Sequence, residues 1–549
     1  MKLIVLHSVV LSPGILTSAA VLPTECGENT GHGPILLGSP NACDIHPARL
    51  FTHLVMMLNG KQVANHSTKE SCWIVIDSQV YDVTSFLQRH PGGAAVILKQ
   101  GGADATAEFS KVHPLEYVKE LPEGSCLGPL DPKTTDALRL PAIAEPKEIT
   151  SSEELPHVSL CVVTDDFQAP AKRVLPHRFW TYTSTSANSG LSLKGNIDDW
   201  GRIKFRPRIL RDVETVDTRT SILGHRTMYP FYVSAMGTMG NVHEEAEYEM
   251  IRGFVKRGLH GVISTASTKP IEGIMDCFVE EQGRLNNASP STLFYQLYLP
   301  TSREKAATLI KKVKAAGYKG LWITVDTPVL GKRTADRVLQ AREALAMGLE
   351  QDRNPERPPA SENAFAPAYG GRVTPGMLSA STTWEDLGWI RELWQGPIVL
   401  KGVQCAEDAK LAMQYGCEGI LLSNHGGRQL HTAPSALMTL LEIRTYCPEV
   451  FGKLEVFVDG GLRDGADVLK AICLGARAVG VGRPFLWALA AYGSRGVERC
   501  ADILSEEFAT AMKLLGITSL DQARPEMVNA SALLNEMWRP ELPPFKSRL

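Results

Sequence analysis

The sequence predicts an α/β chain: a (β/α)8 TIM barrel preceded by a small α+β domain. Three observations predict it. Eight apolar, strand-like runs alternate with amphipathic helical stretches over about 250 residues of the C-terminal part. The polar residues that close those runs are rich in His, Arg, Lys and Asp, as the C-terminal rim of an enzymatic barrel requires. Between Met57 and Asp131 the texture differs, with short alternating strands and histidines at positions 90 and 113.

Bulk properties bound the reading. A chain of 549 residues exceeds one ordinary domain, and 44% hydrophobic with 21% charged residues suits a large core. A net charge of −3 gives no basic field for nucleic acid. Eleven cysteines without a CxxC pair read as reduced thiols.

The chain opens on residues 1–56, read as a leader or dispensable extension. Residues 3–22, LIVLHSVVLSPGILTSAAVL, are similar to a secretory signal, but His7, Pro13 and Gly14 weaken them as a spanning helix, so no stable membrane insertion is expected. The last three residues, Ser547, Arg548 and Leu549, are a conservative variant of the peroxisomal SKL tail. The tail favours a peroxisomal address, with the mitochondrial intermembrane space as the alternative.

In residues 57–131, CWIVIDSQVYDVTSF alternates like paired strands. His90 lies in HPGG, before one helix-like run, and His113 follows a second. Two histidines on facing short helices can bind one iron from both sides, which leaves no open position and suits electron transfer. Taken singly, each is a surface histidine near a turn. Together with CWIVI and VYDVTSF, the segment resembles the cytochrome b5 haem domain, which implies haem b held by His90 and His113.

Residues 132–157 are rich in Pro, Ser, Thr and charge and read as a mobile tether. The barrel occupies residues 158–538, followed by a tail, 539–549. Its strands are expected in YPFYVSAM, HGVISTA, TLFYQLYL, GLWITVDT, PIVLKGV, GILLSNHGG, LEVFVDGG and AVGVGRP. TSREKAATLIKKVKAAG and AEDAKLAMQYG are helical between them. A doubly wound sheet is the alternative, but no GxGxxG follows a strand. The long segment 334–383 reads either as a disordered insert or as a partly mobile lid.

The strand ends carry the chemistry. Gln296 and Tyr298 end the third run, Thr324 and Asp326 the fourth with Arg333 beyond, Lys401 the fifth, His425 and Arg428 the sixth. Asp459 and Arg463 end the seventh and Arg483 the eighth. His425 suits a base and Asp326 the carboxylate that orients it. Arg428 offers a planar fork for a carboxylate. Base plus carboxylate clamp implies chemistry on a carbon or hydroxyl next to a carboxylate, which needs an electron sink. Arg463 and Arg483 stand where barrel phosphates bind, so the sink is expected to carry phosphate.

SNHGGRQL, with FYQLY, TVDTPVLGKR, LKGV, VFVDGG and VGRPF, resembles the FMN-dependent L-2-hydroxy acid oxidase and dehydrogenase family. The resemblance implies FMN and an L-2-hydroxy acid substrate such as lactate. It implies a cytochrome c-like acceptor, or oxygen in the oxidase alternative, and a homotetramer. It makes His425 the base and Asp326 its partner. Arg428 and Tyr182 would hold the substrate carboxylate, Tyr298 its hydroxyl, and Arg333 would assist at the mouth. Ser234, Ala235, Gly237, Ser264, Gln296, Thr324, Ser423, Asp459 and Gly461 would line the flavin, with Lys401 at its N1 edge and Arg463, Gly482 and Arg483 at its phosphate. Removal of the α-proton and removal of the hydroxyl proton with hydride transfer both remain open.

Four positions depart from the family pattern. Met236 replaces a usual Thr, Gly237 a usual Ala, His431 a usual Asp, and Ala266 a usual Leu or Trp at the pocket wall. The last implies substrates bulkier than lactate.

Overall fold

The computed structural model describes residues 57–90, 92–139, 155–348 and 377–539. The leader, the middle of the tether, residues 349–376 of the long segment and the SRL tail lie outside the described residues.

In the small domain, Ser67–Thr68, Ser71–Ile76, Gln79–Asp82 and Cys126–Pro129 form a four-stranded sheet. Ser71–Ile76 and Gln79–Asp82 pair antiparallel across a two-residue turn at Asp77 and Ser78. Both turn residues have positive φ, 50° and 62°, the geometry that matches the strands' twist. Cys72, Ile74 and Ile76 point inward onto Leu87, Ile97 and Leu98. Helix α1 (Ala94–Lys99) begins just after HPGG, and helix α2 (Thr106–Val112) ends at His113.

The first part of the expected tether is not free. Pro132–Ala137 is a 3-10 turn whose Thr134 hydroxyl accepts from the Gly60 amide at 2.8 Å. Arg139 donates to the Gly101 carbonyl at 3.2 Å. Polar composition signalled exposure, but these polar groups satisfy backbone atoms of the small domain instead.

In the barrel, helix α3 (His177–Ser184) precedes the strands. The strands are Phe231–Val233, His260–Ser264, Leu293–Leu297, Leu321–Thr324, Ile398–Val403, Gly419–Leu422, Glu455–Asp459 and Ala478–Val481. They pair in parallel and in chain order, and the first pairs with both the second and the eighth. That closure rules out the doubly wound alternative. Inside, Trp322 packs on Phe457 at 4.9 Å, Tyr232 at 5.2 Å and Phe294 at 5.9 Å, so the barrel is a filled core. A hairpin, Thr220–Ile222 with His225–Thr227, plugs the N-terminal end and buries Ile222.

Residues 334–348 and 377–383 of the long segment are described; helix α4 (Thr334–Ala346) forms its start, and Met377 and Leu378 reach the cavity at the barrel's C-terminal face. Most of the segment read as a lid lies outside the described residues, and helix α4 is a strut. Its first turn buries Asp336, and its far end sends Ala344 and the following Met347 onto the small domain's core.

Candidate active site

The polar strand ends converge on one cavity of about 220 Å³ at the C-terminal face. Of the residues expected from sequence, Tyr182, Ser234, Ala235, Gly237, Ser264, Gln296, Tyr298, Arg333, Lys401, His425, Arg428, Asp459, Gly461, Arg463, Gly482 and Arg483 all line it. Three stand one layer back. Asp326 lies behind His425. Thr324 accepts from the Gln296 amide at 2.9 Å. Ser423 accepts from Lys401 Nζ at 3.2 Å and from the His425 amide at 3.1 Å. Thr324 and Ser423 therefore orient lining residues and do not themselves face the cavity. Both point into the barrel with Lys401 and Gln296, and a strand-end position in the sequence does not reveal the depth at which such a side chain sits.

His425 begins the turn after the sixth strand with φ 58°, a left-handed conformation sparsely used by non-glycine residues and typical of functional sites. Its Nδ1 stands 2.9 Å from Asp326 Oδ1. A donor at Nδ1 leaves the Nε2 lone pair facing the cavity, 3.4 Å from the Tyr298 hydroxyl. Burial lowers the His425 pKa more than the Asp326 charge raises it, so the imidazole rests neutral. Burial pushes the Asp326 carboxyl up, but His425 and Lys401 outweigh it and hold it down to about 2.

Two residues around Asp326 were not singled out from the sequence. The Thr327 hydroxyl donates to Asp326 Oδ1 at 2.7 Å, and the adjacent letters of TVDT were its only signal. Gly402, in LKGV, has φ +109°, and a Cβ there would meet Asp326 Cβ at 2.6 Å. Only glycine accepts that backbone and lets the carboxylate sit so close.

Facing the base is a cationic wall. The Tyr182 ring lies between two guanidiniums, Arg428 at 4.5 Å and Arg333 at 5.1 Å. Burial pushes the Tyr182 hydroxyl up, but the two arginines outweigh it and lower its pKa. Arg428 donates to the Tyr182 carbonyl at 2.7 Å. Burial, with Arg333 beside it, brings Arg428 down to about 10. Arg483 falls to about 9 through burial and the neighbouring Arg428, Arg463 and Arg333. Arginines destabilised by one another mark a place built for anions.

The cavity fits a phosphorylated flavin. Among the described residues, Ser234 Oγ and Asp459 Oδ1 are buried without hydrogen-bond partners. Arg463, ion-paired to Asp165 at 3.0 Å and stacked over Trp487 at 5.5 Å, sits with Arg483 at the ends of strands seven and eight. Asp165 escaped the sequence reading because it lies about three hundred residues before Arg463, and Trp487 because, although it follows VGRPF closely, nothing in the sequence pairs it with Arg463.

The small domain fits haem. The His90 and His113 rings stand 6.2 Å apart, centre to centre. Two metal–imidazole bonds of about 2 Å plus roughly 1 Å within each ring give the same span. His90 Nδ1 lies 3.2 Å from the Gly93 carbonyl and donates to it, which leaves Nε2 as the ligand atom. Burial holds His90 down to about 4, so it stays neutral and ready to coordinate. Phe86, Phe109 and Leu87 supply apolar walls.

A proton-transfer pair, an anion-binding wall and a flavin cradle on one barrel rim define a flavin-dependent oxidoreductase with a haem module on the same chain. The chain belongs to the FMN-dependent dehydrogenase family, which it matches over residues 171–530. Residues 59–131 match the cytochrome b5-like heme/steroid binding domain. FMN and haem b are its cofactors. The chain is 37% identical over 484 residues to an L-lactate dehydrogenase (cytochrome) of Saccharomyces cerevisiae, covering 86% of this chain and 79% of that protein. It is 36% identical over 383 residues to human 2-hydroxyacid oxidase 1, covering 68% of this chain and 97% of that protein. Among solved structures, the flavin-binding domain of baker's yeast flavocytochrome b2 superposes with a TM-score of 0.61 at 34% identity, over 70% of this chain and 90% of that one.

Proposed function

We propose that this enzyme oxidises an L-2-hydroxy acid to the 2-oxo acid and passes the electrons through its own haem to a cytochrome c-like acceptor. The observation that carries it is the His425–Asp326 pair facing Arg428 and Tyr182 across one cavity. Arg428, with Tyr182, holds the substrate carboxylate. The substrate hydroxyl then falls between Tyr298 Oη and His425 Nε2. His425 takes the proton, and Asp326, already ionised, stabilises the imidazolium. Lys401 Nζ stands beside Asp459, 3.8 Å away, at the cavity lining. When bound, FMN supplies the two-electron sink and haem the one-electron relay.

Sequence kinship to cytochrome-linked lactate dehydrogenases across both domains supports the haem route over oxygen. A homotetramer belongs to the same reading, whereas a peroxisomal address, from Ser547, Arg548 and Leu549, would favour the oxidase alternative. Anaerobic mixing with a panel of 2-hydroxy acids, following flavin and haem absorbance separately, tests the reaction. Flavin bleaching followed by haem reduction is expected. Flavin bleaching with an inert haem overturns the relay, and no bleaching by any acid overturns the whole reading.

A further inference from the structure

The reaction proposed above needs the small domain held against the barrel, and one ion cluster does this beside a haem ligand. Arg178 opens helix α3, only 9% exposed at its side chain. Its Nη2 donates to the Gly92 carbonyl at 2.9 Å. Gly92 is the third residue of HPGG, and the next carbonyl, of Gly93, receives the His90 ring. The other guanidinium nitrogen, Nη1, stands 3.0 Å from Glu343 of helix α4. Glu343 in turn lies 3.5 Å from Lys99, the last residue of helix α1 in the small domain. Four chain segments, two of them just beyond His90 in sequence, thus meet at one half-buried cluster.

The same two barrel helices frame the substrate wall. Tyr182 lies one turn beyond Arg178 on helix α3, on the same face. Arg333, stacked on Tyr182, caps the start of helix α4, and Glu343 lies further along that helix. The far end of helix α4 meets the small domain's core through Ala344 and Met347. A second foot stands on the other haem ligand's side, where Thr268, beyond the second barrel strand, bonds the Lys111 carbonyl of helix α2 at 3.4 Å.

We propose that Arg178 is a positioning residue for electron transfer, latching the haem-ligand loop to the substrate-side helices through Glu343 and Lys99. Two effects follow. The latch raises the fraction of molecules in which the haem stands over the barrel face. Its guanidinium also places positive charge beside the ligand loop, which favours the ferrous over the ferric iron, while Glu343 opposes that bias. Arg178 touches neither substrate nor flavin in this reading, so the oxidation of substrate does not depend on it.

The inference rests on the relay under Proposed function, and the test separates the two. The parent holoenzyme, Arg178→Gln, Glu343→Gln and Lys99→Gln are mixed anaerobically with saturating 2-hydroxy acid, and flavin and haem are followed separately. Arg178→Gln should slow haem reduction about tenfold, as a tenfold loss of the docked population requires, with flavin reduction within about twofold of the parent. Lys99→Gln, at the outer edge of the cluster, should act in the same direction but less.

The haem midpoint potential is measured by equilibrium titration of each variant, which needs no turnover. It should fall in Arg178→Gln and rise in Glu343→Gln. Both variants should speed amide exchange in residues 92–99. Loosened packing alone would move the two potentials the same way. If the parent haem is not reduced by substrate, the relay reading fails. If the parent relays and Arg178→Gln matches it in haem reduction rate and potential, the latch is overturned. Should Arg178→Gln not fold, Glu343→Gln and Lys99→Gln decide by the same measures, parental values in both overturning the proposal.

Discussion

His425 Nδ1 and Asp326 Oδ1 lie 2.9 Å apart, on the ends of two barrel strands that have a third strand between them. The intervening strand makes the contact possible, because Gly402 on it has no Cβ to fill the space beside Asp326. Catalytic competence therefore depends on three strand ends at once.

His425→Gln should slow flavin reduction by substrate at least about 10²–10⁴-fold while FMN stays bound, since the phosphate-binding arginines lie elsewhere. Asp326→Asn should lose a comparable factor. The pH profile separates the two roles. Burial already sets the His425 pKa below the ordinary imidazole value of 6.5, and Asp326 raises it partway back. The base works when neutral, so rate falls as pH drops through that lowered pKa. In Asp326→Asn the acid limb should move to still lower pH. An acid limb that moved upward would contradict the assignment.

Removal of either haem ligand should leave the barrel chemistry alone. His113→Ala should abolish the six-coordinate, low-spin b-type haem spectrum, with substrate still bleaching the flavin at the parental rate. An unchanged low-spin spectrum would show that His113 is not the ligand.

Substrate size is expected to be set where the first two barrel loops touch. The Thr238 amide donates to the Ala266 carbonyl at 2.8 Å, and a Cβ on Gly237 would meet Ala266 Cβ at 2.8 Å. The two small residues let the loops close on each other while keeping the wall thin. Each substrate methylene buried there contributes roughly 0.8 kcal/mol, so two or three shift preference by about one to two orders of magnitude. L-2-Hydroxyisocaproate and L-mandelate should exceed L-lactate in kcat/KM, and Ala266→Leu should reverse the order. Lactate ranking first in the parent would rule this out.

Stability should fall in mild acid for a reason at the barrel floor. His260 is fully buried, with Nε2 donating to the His225 carbonyl at 3.1 Å. Burial lowers its pKa from 6.5 to about 4. Between those values the unfolded chain binds the proton and the folded chain does not, so stability present above pH 6.5 is lost as pH falls toward 4. The loss amounts to about 3 kcal/mol across the window. Urea midpoints at pH 7 and pH 4.5 should differ more in the parent than in His260→Gln.

The barrel was legible because each strand is a bounded apolar run and each ends in a chemically specific residue. His425, Arg428 and Asp326 could be read as a set for that reason. Thr324 and Ser423, expected at the cofactor, stand one layer below the cavity lining, where they hold Gln296, Lys401 and His425, and sequence order does not give that depth. The strut role of helix α4 was not legible because its partners, Lys99 and the small domain's core, lie more than two hundred residues upstream. The docked start of the tether escaped for the same reason: Thr134 satisfies Gly60, and composition carries no information about such distant pairing.

The wall of guanidiniums has a bearing on assembly of the enzyme. Arg333, Arg428, Arg463, Arg483 and Lys401 line the cavity against the carboxylates of Asp459 and Asp326. A freshly made chain must close its barrel around that self-repelling cluster. Flavin phosphate relieves the repulsion only in the folded form, so loading and folding are thermodynamically linked. Cells short of riboflavin should therefore hold less of this protein, and not merely more of it in an inactive state.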